Sequence, residues 1–112
     1  MQNNSFDTVL KHLYLQVDNN EAVAKHLLRV LTKRLQSSFQ VLKKNDVNAI
    51  IFEAHQIGGE VASCGFELLK AKALAIEAKA KKGEIDHAAI NDFELVATQY
   101  IEEINHWLNN EG

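Results

Sequence analysis

NDVNAIIFEAHQIGGEVASCGF, the stretch from Asn45 to Phe66, decides the fold. Its residues Val47, Ile50, Ala54, Ile57, Val61 and Cys64 recur at three- and four-residue spacing, which gathers them on one face of a helix with a 3.6-residue period. A stripe of that kind has to be buried against neighbouring helices. His55 does not share it: at roughly 100° of turn per residue, it points about 130° away from the stripe centre. An imidazole that only filled a core would lie on the stripe, so His55 is the candidate functional residue.

Residues three and four apart share a helix face, so Asn48, Ile51, Phe52, Gly58, Gly59 and Ala62 are the neighbours of His55. Phe52 lies about 170° from the buried stripe by helical rotation and is predicted to be an exposed aromatic, suited to an apolar docking contact or simply a lone surface ring. Gly58 and Gly59 are unexpected there. Each glycine in a helix interior costs roughly 1 kcal/mol relative to alanine. The physical use of missing side chains is close approach, by a partner's backbone or by a bulky group carried on the imidazole. A kink or merely tolerated glycine is the alternative.

Outward from this stretch the same periodicity continues. A short helix over about Ser5 to Val17 is predicted from Phe6, Val9, Leu10, Leu13 and Tyr14, as a lid on the bundle. Asp18, with Glu21 three residues later, predicts a capped start near Asn19 for a helix running to about Lys44, with Leu27, Leu28, Leu31, Leu35, Phe39 and Leu42 inward. Asn45 is read as turn and cap before the central helix, and Gly65 as its left-handed end. A fourth helix from Phe66 to about Lys82 buries Leu69, Ala73, Ile76 and Ala80 and stops at Gly83. Asp86 caps a fifth, to about Asn109, with Ile90, Phe93, Ala97, Tyr100, Ile101, Ile104 and Leu108 inward. Four long helices joined by short turns predict an all-α, antiparallel up-down-up-down four-helix bundle with a short extra N-terminal helix.

Composition agrees with one such domain over residues 1–112. There are no prolines and only five glycines in a chain that is 46% hydrophobic and 24% charged, which predicts a nearly all-helical globular protein. The net charge of −3 is spread without a basic block, so no nucleic-acid footprint is present. The single cysteine, Cys64, fits a reducing compartment. No apolar run approaches the roughly 18 residues of a membrane span, and the polar opening MQNNSFD does not resemble a signal peptide, so a cytoplasmic location is expected. His12, His26, His87 and His106 show no ligand spacing, and no nucleophile triad, phosphate loop or dinucleotide motif occurs. Trp107 is read as packing.

A partner for His55 follows from counting. His55 lies ten residues before Gly65 and Glu77 twelve after it. Across an antiparallel hairpin they therefore differ in height by only about 3 Å, at 1.5 Å per residue. A carboxylate on one ring nitrogen would fix the tautomer and leave the other nitrogen free as nucleophile. The alternative is that Glu77 only solvates its helix.

HQIGGEVASCG resembles the signature of histidine phosphotransfer (HPt) domains, in which the histidine is followed by any residue, an aliphatic residue, usually lysine, then glycine, with a second glycine ten residues beyond the histidine. His55, Ile57, Gly59 and Gly65 match; Gly58 stands where that family usually has lysine. The resemblance implies Nδ1–H bonded to Glu77, phosphorylation at Nε2, and a carrier passing phosphate between receiver-domain aspartates. It implies no cofactor of the chain's own, with Mg²⁺ on the partner receiver domain. Partners would be a response-regulator receiver domain, a hybrid histidine kinase, or both, met by a monomer. Because Gly58 replaces the lysine, a pseudo-HPt module that docks without carrying phosphate is the alternative. Lys81, one turn beyond Glu77, or Arg34, near His55 in height, would be the compensating cation.

Overall fold

The computed structural model describes residues 5–110; the ends of the 1–112 domain, with the opening residues Met1–Asn4, lie outside the described residues. Within them the chain forms five helices, α1 (Phe6–Gln16), α2 (Glu21–Leu42), α3 (Val47–Ser63), α4 (Glu67–Lys81) and α5 (His87–Asn110), and no strand. Helices α2 to α5 make the antiparallel four-helix bundle, and α1 is the extra N-terminal helix, as expected.

The helix ends show why the chain turns where it does. Gly65, at φ 89°, follows the last turn of α3. Its N–H donates to the carbonyl of Ala62, while Phe66 N–H reaches back to Val61. That pair of bonds is a Schellman motif, which occupies carbonyls the helix leaves unpaired. Gly83, at φ 82°, ends α4 in the same way, with Glu84 N–H on the carbonyl of Lys79. Gly65 is doubly constrained, since a Cβ there would come within 2.6 Å of the His12 ring on α1.

Two expected caps are displaced. Asp18 and Asn19 have φ values of 52° and 60° and close α1 through a bond from Asn19 N–H to Tyr14, so Asn20 caps α2 by accepting from Val23 N–H. Likewise Asn45, at φ 56°, is only the turn, and Asp46 caps α3 through Ala49 N–H. The physical reason is shared. Asp and Asn serve both as caps and as left-handed turn residues, so adjacent ones trade roles over one or two positions.

One buried cluster runs the length of the bundle, with Leu28 and Leu35 of α2, Ile50, Ala54, Ile57 and Val61 of α3, Leu69, Ala73 and Ile76 of α4, and Phe93, Ala97 and Ile104 of α5 all essentially inaccessible. Each such Ile or Leu contributes about 1.5–3 kcal/mol of apolar burial. Helix α1 covers the open end by burying Phe6, Val9 and Leu13, while Phe6 and Tyr14 set edges against the Trp107 ring. Lys72 with Asp92 and Lys43 with Glu94 tie α5 to its neighbours at the surface. No described helix is long and apolar enough to cross a membrane.

Candidate functional site

The closest helix pair is α3 with α4, and small residues make it so. Gly58 is buried, and a Cβ added to it would meet the Cβ of Ala73 at 3.5 Å. The expectation that both glycines face an incoming partner is therefore corrected for Gly58. Its missing side chain serves the approach of α4, one turn beyond His55. Gly59 does lie on the open surface, with nothing within 4 Å of a Cβ built there.

That approach carries the edge of α4 under His55. The imidazole is 74% exposed, and its Nδ1 lies 3.3 Å from Oε2 of Glu77, whose side chain is only 8% exposed. The separation is long for a hydrogen bond, as such contacts often are before a substrate tightens them. Glu77 follows Ile76 on the buried stripe, so its carboxylate emerges at the rim, covered by its neighbours rather than sunk in the core. The same Oε2 also holds Nζ of Lys81 at 2.9 Å, one turn further along α4. The other oxygen, Oε1, is buried with no hydrogen-bond partner.

Lys81 sets the electrostatics of the carboxylate. Its hydrogen bond holds Glu77 below the ordinary carboxylate range; burial opposes this, and the charges of Lys81 and His55 reinforce it. Glu77 is thus ionised at neutral pH and able to accept from Nδ1–H, which leaves Nε2 on the solvent side of the ring. His55, Glu77 and Lys81 line an open hollow of about 340 Å³ together with Asn48, Ile51 and Phe52. Phe52 is 65% exposed beside them. A larger hollow of about 700 Å³ between α1 and α5, around Trp107, touches none of these residues.

Arg34 is brought elsewhere. It matches His55 in height, but lies on the far side of α3, where Nη1 sits 2.6 Å from Oε2 of Glu53 and Nε 2.9 Å from Oε2 of Glu60. Burial works against its charge, yet the bonds and charges of Glu53 and then Glu60 outweigh it and hold the guanidinium more basic than usual. It is not available to a group on His55. The Arg34–Glu53–Glu60 cluster is absent from the sequence reading. Counting from Asn45 puts Arg34 eleven residues before the turn and the two glutamates eight and fifteen after it, so the arginine falls between them in height. The count that finds Glu77 puts these three residues at compatible heights, but it does not give the side to which Arg34 points.

Cys64 is buried on the apolar stripe, and burial pushes its thiol up, so it stays protonated and unreactive. Among the described residues no group of three His, Cys, Asp or Glu side chains is placed to hold a metal ion. One nucleophilic nitrogen, one carboxylate and one lysine can accept and hold an anionic group, and a second set of groups is needed to drive its transfer.

A family model described as the Hpt domain matches residues 21–110, the whole of α2 to α5. No curated protein and no solved structure matches the chain.

Proposed function

The chain belongs to the Hpt domain family, a phosphotransfer module of two-component signalling, and on that premise we propose that it carries a phosphoryl group on Nε2 of His55 between receiver-domain aspartates. The observation that supports this most is the contact of Nδ1 with Glu77 under an exposed ring. With the proton on Nδ1, the Nε2 lone pair attacks the phosphorus of a receiver's aspartyl phosphate. The P–O bond breaks, the aspartate leaves as a carboxylate, and the ring becomes a phosphorylated imidazolium. Glu77 offsets the new positive charge and keeps the proton in place. Transfer onward reverses each step on a second aspartate.

Phosphoryl transfer depends on positioning and on charge stabilisation of the moving group. The receiver domain brings its own aspartate, lysine and Mg²⁺, while this chain presents the nucleophile. Phe52, exposed beside His55, is the apolar anchor for that receiver, and Gly59 leaves room for its backbone. The protein acts as a monomer, because the strong apolar stripes of all five helices find their partners within the bundle.

One observation favours a second reading, docking without phosphate: position 58 has no side chain to offer the phosphoryl group. The two readings separate when the protein is incubated with a phosphorylated receiver domain. The carrier reading expects acid-labile, alkali-stable label on the protein. Receiver binding without label would leave only the docking function.

A further inference from the structure

The phosphoryl group that His55 would carry has two negative charges, and the hollow beside the ring contains one cation. Among the residues lining it, Asn48, Ile51, Phe52, His55, Glu77 and Lys81, only Lys81 is positively charged. Gly58 faces Ala73 and Arg34 is committed to Glu53 and Glu60. We propose that Lys81 is the phosphate-binding residue of this chain, moving from Glu77 to the phosphoryl group on His55 when the group arrives. The proposal rests on the carrier reading above and names the residue that makes that reading work without a lysine at position 58.

The geometry supports a hand-over instead of a fixed contact. His55 and Lys81 share one oxygen of Glu77, at 3.3 Å and 2.9 Å, while Oε1 is covered and unpartnered. Lys81 is thus held by a single oxygen of a carboxylate it shares with His55, a contact that a stronger, dianionic acceptor nearby can compete for. Phosphorylation supplies one. The ring turns positive and draws Glu77 more strongly to Nδ1–H, while the dianionic group across the ring draws the lysine. Lys81 is 61% exposed on a flexible stem, so the move displaces no packed side chain. No bond is made or broken in this step; only the lysine's hydrogen bonds change partner.

Such a cation lengthens the life of the phosphohistidine. The transition state for loss of the group is loose and metaphosphate-like. Before that state is reached the group is a dianion on the ring, and charge-assisted hydrogen bonds from the lysine stabilise it there. Receivers still remove the group, because they bring their own Mg²⁺ and lysine.

The test compares phosphohistidine half-life in wild type, Lys81→Met and Lys81→Arg, each also in a Glu77→Gln background. Lys81→Met should shorten the half-life roughly fivefold, as expected for an exposed charge-assisted contact, and Lys81→Arg should restore most of it. The shortening should persist when Glu77 is already Gln, since the lysine acts on phosphate and not through the carboxylate. An unchanged half-life in Lys81→Met, or an effect that vanishes in the Glu77→Gln background, overturns the role of Lys81 while leaving the carrier reading intact. Failure of wild type itself to take up label overturns both. Melting curves for every variant establish that the bundle is folded.

Discussion

Helix α3 carries ionic groups on two opposite faces, and they are matched in different ways. Toward α2, Glu53 and Glu60 close on Arg34, with Glu53 almost wholly buried. Toward α4, a single carboxylate is divided between a lysine and an exposed histidine, with one oxygen unused. The first arrangement is a clamp: it fixes how α2 lies on α3 and offers solvent no nucleophile. The second leaves an open nitrogen and an exposed lysine at the rim. The same residue types thus give structure where the charges are enclosed and a candidate for chemistry where they are shared.

Removing the clamp should have the largest effect on stability. Arg34→Met leaves Glu53 buried without its counter-ion, and we expect a loss of about 2–3 kcal/mol in urea unfolding, somewhat below the full value for a buried pair because Arg34 is partly exposed. Phosphate acceptance by the folded fraction should be unchanged. If stability barely moves, the two faces are not distinct in kind.

Breaking the other face should alter rate before stability. Glu77→Ala should slow transfer from a receiver about tenfold or more, as loss of an orienting carboxylate does at other histidine sites, with the bundle still folded and its melting temperature lowered only modestly at neutral pH. Because the Glu77 carboxyl is held below its ordinary value, its own contribution to stability is complete above the usual carboxylate range and lost as pH falls through the lowered value. The acid limb of a stability–pH curve should therefore flatten in Glu77→Ala. An equal transfer rate in the variant would reduce Glu77 to a surface carboxylate.

Smaller effects sharpen the same contrast. Phe52→Ala should weaken receiver binding by about 1 kcal/mol or more, without a change in melting temperature; the reverse result would mark Phe52 as packing. Gly59→Ala should stabilise α3 by up to about 1 kcal/mol, since a Cβ there meets nothing. If receiver affinity drops in that variant, the glycine serves the partner's close approach; unchanged affinity would show that it does not.

Much of this was legible in the sequence because helical bundles are written in periodicity and turn chemistry. The stripe from Val47 to Cys64 placed His55 outside the core, and counting across Gly65 put Glu77 at its height, which the fold realises as a 3.3 Å contact. Direction was harder to read. Arg34 has the right height and the wrong side, because rotation about α2 decides where a side chain points and counting does not contain it. Gly58 misled for a related reason. It lies one turn from His55, yet the turn brings it over Ala73, where its lack of a side chain is used for helix packing. The caps slipped by one or two residues wherever Asp and Asn stand together.

The central claim is that His55 accepts phosphate on Nε2 while Glu77 holds Nδ1–H. The most direct measurement is nitrogen-15 and phosphorus NMR of the protein after incubation with a phosphorylated receiver domain, with His55→Gln alongside. The account predicts one phosphohistidine, with phosphorus coupled to Nε2 of His55, and none in the variant. Phosphorus on Nδ1 of His55, or on His12, His26, His87 or His106, would contradict it.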